Sequence, residues 1–60
     1  MNRKFKNGAV LQSKQYKQIL IIVCDFFKRG NDYWYLCMNK KGEFVDGIQD
    51  IVEGNYIQVN

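Results

Sequence analysis

Apolar positions along the chain fall into two rhythms, and each predicts an element. The densest apolar run spans 18–27, Gln-Ile-Leu-Ile-Ile-Val-Cys-Asp-Phe-Phe, with six consecutive apolar residues from Ile19 to Cys24. Three Ile and one Val among them favour a pleated backbone, because branching at Cβ restricts the side chain in a helix. The run therefore predicts a central strand. Apolar residues at both parities imply that both of its faces are covered, with the remaining segments wrapped around it.

Shorter runs predict the other strands. Gly8 precedes a short strand Ala9-Val10-Leu11-Gln12, and the polar stretch 13–17 predicts a loop that lays Tyr16 over one end of the fold. Lys28-Arg29-Gly30-Asn31-Asp32 separates two apolar runs and predicts a hairpin turn with Gly30 or Asn31 at positive φ. In the second long strand, 33–38, alternation sets Trp34, Leu36 and Met38 on one side and Tyr33, Tyr35 and Cys37 on the other. Trp34, Leu36 and Met38 are assigned to the core, since Tyr tolerates a half-wet surface better than Leu or Met. Asn39-Lys40-Lys41-Gly42 predicts a second hairpin with Gly42 at positive φ, and 43–46 completes a meander. Beyond it the spacing changes to three and four at Ile48, Ile51 and Val52. That predicts one or two helical turns over 47–53, with Asp46 near their start and Gly54 stopping them. A closing strand, 55–59, then turns Ile57 and Val59 inward.

The chain has sixty residues, 47% of them apolar and nine of them aromatic. This suits one folded domain, 1–60, near the lower size at which a single core supports itself. Residues 1–7 are expected to form a loosely held basic arm with Phe5 tucked against the core. The apolar run is too short to cross a bilayer and follows a segment rich in Lys and Gln, unlike a signal sequence. A soluble, cytoplasmic protein with no membrane partner is the expectation. In a reducing compartment Cys24 and Cys37 read as two small buried hydrophobes, and two thiols without any His do not close a zinc site. The abundance of Lys, Asn, Ile and Tyr suits an AT-rich genome, such as that of a low-GC bacterium or its phage.

The net charge of +3 hides an asymmetry. Residues 1–42 hold all nine basic side chains against Asp25 and Asp32, whereas 43–60 hold Glu43, Asp46, Asp50 and Glu53 and no basic residue. Two surfaces of opposite sign follow, or two halves that neutralise each other on folding. Catalytic constellations are scarce. With no His, a single Ser at Ser13 and both Cys inside apolar runs, nucleophile-and-base pairs are nearly excluded. Asp46 and Asp50 could stand one helical turn apart, where a solvated acidic turn is the plainer reading than an acid–base pair. No enzyme activity, metal, cofactor or small-molecule substrate is expected.

Binding remains, with two classes of partner. A protein partner or a second copy would let so small a chain bury more surface, the basic half pairing with the acidic segment. Nucleic acid is the alternative. Tyr33 and Tyr35 would form a stacking platform, with Lys28, Arg29, Lys40 and Lys41 in the hairpin turns and Arg3, Lys4 and Lys6 in the arm on phosphates.

Four or five short antiparallel strands, tight hairpins and a helical turn before the last strand fit an all-β fold, a small barrel whose closure protects its edges. The layout resembles the SH3-like barrels. Tyr33-Trp34, Leu36, the turn ending at Gly42 and Asn55-Tyr56-Ile57 are similar to the aromatic pair and closing Asn-Tyr-Val of SH3 domains. Phe5-Lys6-Asn7-Gly8 followed by Val10 is similar to the opening of YodC-like and KOW-type bacterial barrels. The resemblance implies a fold, and a groove for an extended peptide lined by Tyr16, Trp34 or Tyr35, and Tyr56. The Ala-Leu-Tyr-Asp-Tyr opening and the acidic loop of SH3 domains are absent, so it implies no family function.

Overall fold

The computed structural model describes residues 2–60. Five antiparallel strands and one short helix follow in the order β1 (Val10–Ser13), β2 (Leu20–Arg29), β3 (Asp32–Asn39), β4 (Phe44–Ile48), α1 (Gln49–Asn55) and β5 (Tyr56–Gln58). The sheet runs β4-β3-β2-β1-β5, with β2 at its centre as its sequence predicts. Gly30 and Gly42 take φ of 65° and 81° at the two hairpin turns, as their placement between apolar runs requires. Among the described residues no helix is long and apolar enough to cross a membrane.

The sheet does not close into the expected barrel. β4 and β5 are its two edges, and α1 packs between them against β3, β4 and β5. Seven residues of helix span the gap without joining the edges by hydrogen bonds. The tail of the helix also differs from expectation: it runs through Gly54 to Asn55 and ends where the Tyr56 N–H donates to the Val52 carbonyl.

Parity is where the sequence misleads. β2 pairs with β3 in register from Ile21↔Asn39 to Val23↔Cys37, then shifts, so that Asp25 opposes Leu36 and Phe26 opposes Tyr35. Cys24 is the extra residue of a β-bulge, and it reverses which side chains of β2 point inward beyond it. Ile21, Val23 and Phe26 therefore face the core, while Ile22, 39% exposed, does not. Only one face of the central strand is covered, and the apolar run does not need both. On β3 the assignment inverts. Tyr35 and Cys37 are buried at 0% and 2% exposure, and Trp34, Leu36 and Met38 lie half-buried on the outer face. Tyr35 is tolerated there because its ring fills the core beside Phe5 and Phe26, while its hydroxyl finds partners at the rim. The end of the chain inverts as well: Ser13↔Tyr56 and Gln12↔Ile57 turn Tyr56 inward and leave Ile57 and Val59 exposed.

From Asn2 to Phe5 the N-terminal segment packs against the rest of the fold. Phe5 is a core residue at 2% exposure, and its N–H donates to Tyr35 Oη at 3.1 Å. The Lys4 N–H donates to Glu53 Oε2 at 3.0 Å, and Gln49 Nε2 donates to the Asn2 carbonyl at 2.7 Å. Ser13, the one buried polar side chain among the described residues, accepts from the Tyr16 N–H through its Oγ.

Candidate functional site

The opening between β4 and the α1–β5 arm is an apolar groove. A cavity of about 320 Å³ lies in it, floored by Ile21, Cys37 and Val52 and walled by Ile19, Val45 and Tyr56, with Ile51 at the mouth. Val45 is 40% exposed and Ile51 62%, so two large apolar side chains stand at the rim with nothing covering them. The groove is a wedge. At its narrow end α1 crosses so close to β4 that a Cβ placed on Gly47 would stand 2.7 Å from Val52 Cγ2. Because Val52 is β-branched and buried, it has little rotamer freedom to move aside. Gly47→Ala is therefore expected to push the helix away and destabilise the fold by about 1–3 kcal/mol. Adding Val52→Ala should recover part of that loss, a coupling that a denaturant-melt double-mutant cycle would read.

The helix owes its position to Glu53. Its Oε2 accepts from the Tyr35 hydroxyl at 2.6 Å, from the Lys4 N–H at 3.0 Å and from Gln49 Nε2 at 3.0 Å. Burial raises the pKa of this carboxyl, but the three donors outweigh that and hold it below its ordinary value. Tyr35 is shifted upward, by burial first and then by its bond to Glu53. One carboxylate thus ties β3, α1 and the N-terminal segment together. Burial also pushes the Cys37 thiol up to about 11, with Cys24 nearby adding to the shift. Both cysteines are free.

Along β4 the backbone itself is available. The Asn39 N–H donates to the Glu43 carbonyl at 2.9 Å, which makes 39/43 a hydrogen-bonded pair. Alternation then makes 37/45 and 35/47 the next such pairs. The N–H and C=O groups of Phe44 and Asp46 point away from β3, along the groove, and among the described residues they make no other hydrogen bond.

The residues singled out in the sequence do not converge. Tyr35 cannot stack a ligand because it is buried. Tyr33 lies flat on Phe26, ring centroids 5.4 Å apart, with Arg3 4.7 Å over the other aromatic of that pair. Lys28 stands across from Tyr33 at the first hairpin. Arg29 folds onto the outer face, 4.8 Å over Trp34 and 5.1 Å over Phe27, and pairs with Asp46 at 3.2 Å. Lys40 and Lys41 lie at the opposite end of β3. Tyr16 is exposed in the β1–β2 connection, and Trp34 is on the outer face. Of the eight candidates only Tyr56 lines the groove. Nothing in the sequence joins Val45, Ile19 and Ile51 into one site, because each is one apolar residue in a different segment. The only sequence signal for them is the Ile51-Val52 pair, one member of which buries while the other stays out. No protein-family model, curated protein or solved structure matches the chain.

Proposed function

We propose that the chain is an SH3-like barrel left open on one side, and that it works as a non-catalytic module binding a segment of another polypeptide in that opening. The observation that carries this reading is the groove itself: apolar walls, uncovered Val45 and Ile51, and an unpaired β4 edge lie together in one place. An exposed apolar cleft beside free backbone groups is how sheet proteins accept polypeptide. Two free cysteines, one buried, suit a reducing compartment such as the cytoplasm.

Nucleic acid is the weaker reading on this geometry. Lys28 and Arg29 are separated from Lys40 and Lys41 by the eight residues of β3, about 26 Å of strand. Arg29 is also already engaged by Asp46. No single platform joins these cations to an open aromatic face.

A fluorescein-labelled hexapeptide, Ser-Gly-Thr-Val-Leu-Ser, tests the reading by fluorescence anisotropy. Binding should weaken about tenfold or more with Val45→Asp or Ile51→Asp, each of which places a charge against an apolar ligand. Both sites are exposed, so the thermal midpoints should stay close to that of the parent. Binding indifferent to both variants, or stronger to an oligonucleotide than to the peptide, would overturn it.

A further inference from the structure

We propose that the occupant of the groove is an extended segment that adds a sixth strand antiparallel to β4, with the order small, basic, aliphatic, large apolar against Gly47, Asp46, Val45 and Phe44. This rests on the groove being the binding site. The backbone sets the strand: Phe44 and Asp46 each offer an N–H and a C=O on the free edge, two residues apart, which an extended chain matches and a helix does not. The side chains set the order. Val45 and Gly47 point toward the core side, while Phe44 and Asp46 point outward with their β3 neighbours Met38 and Leu36.

Val52 fills the space that a Cβ on Gly47 would need, so α1 lies close over the strand there and a small residue is the one we place across from Gly47. Opposite Val45 the groove opens onto Ile19 and Ile51, and an aliphatic side chain fills it. Phe44, 61% exposed, offers an apolar neighbour on the outer face. Asp46 decides the charge. Its Oδ2 takes Arg29, and its Oδ1 has no hydrogen-bond partner among the described residues, so a cation directly across completes the pair. Charge also argues against a second copy of this chain. The register centred on β4 would set Asp46 directly opposite Asp46 of the other copy, and like charges across a strand pair repel.

The test uses the full chain and three labelled peptides: Ser-Gly-Lys-Val-Leu-Ser, its Lys→Glu counterpart, and the Lys peptide methylated on the lysine backbone nitrogen. The Lys peptide should bind at least about fivefold tighter than the Glu peptide. Methylation should weaken it about tenfold, because that N–H would donate to the Asp46 carbonyl. Asp46→Lys should reverse the preference between Lys and Glu. Equal binding of all three peptides, still lost in Val45→Asp, would overturn the added strand while leaving the groove as the site. No binding by any peptide would overturn both. A dimer in solution that Val45→Asp dissociates would put a second copy in the groove instead.

Discussion

Tyr35→Ala is expected to leave the chain largely unfolded at room temperature. The side chain is fully buried between Phe5 and Phe26, and truncating a buried aromatic costs about 3–5 kcal/mol. A domain of this size has about 3–5 kcal/mol in total. Tyr35→Phe separates the ring from the hydroxyl. It keeps the packing but leaves the Phe5 N–H and one acceptor site of Glu53 without their partner, a loss of about 1–3 kcal/mol. The pH dependence identifies the cause. Because the Glu53 carboxyl is held below its ordinary value in the folded state, its contribution is present above about pH 4.3, the unfolded value, and is lost as pH falls through the folded one. Tyr35 is the strongest of the donors that lower it. Urea melts should therefore show the gap between parent and Tyr35→Phe narrowing as the pH is lowered through that range. A gap that stays constant would assign the loss to packing alone.

Phe5→Ala is the second large effect, larger than one side chain tucked against the core from a loosely held arm would give. Phe5 sits in a basic, polar stretch that reads as a loose arm, yet its side chain is one of the five most fully buried. The expected loss is about 3–5 kcal/mol, comparable with a central core residue. Since Phe5 touches Tyr35 through both ring and backbone, Phe5→Ala and Tyr35→Phe should be non-additive, the double variant losing less than the sum. A Phe5→Ala variant that melts like the parent would mean that the N-terminal segment is not part of the folded unit.

What could be read in advance and what could not divide along physical lines. Turns carry local chemistry: a glycine at positive φ between two apolar runs is a backbone requirement, so Gly30 and Gly42 were legible. The helix was legible from the spacing of Ile48, Ile51 and Val52, but not its end. Gly54 ends a helix only when it takes a left-handed conformation, and here the chain stays helical to Asn55, whose Nδ2 donates back to the Ile51 carbonyl. Facing was not legible, because one extra residue at Cys24 reverses parity along half of β2, and nothing local marks it. Tyrosine compounds this, since Tyr35 is acceptable in the core only if a carboxylate eighteen residues away receives its hydroxyl. The groove was the least legible feature. It is a space between elements, set by how closely α1 approaches β4 at Gly47, and its residues are ordinary one at a time.

The most direct test of the groove is an amide chemical-shift titration of the isotopically labelled protein with the neutral hexapeptide Ser-Gly-Thr-Val-Leu-Ser. Saturable shifts are expected, centred on Ile19, Val45, Asp46, Ile51 and Tyr56, with the amides of Phe44 and Asp46 moving downfield as they gain acceptors. Shifts confined to Arg3, Lys28 and Tyr33, or none at saturating peptide, would contradict it.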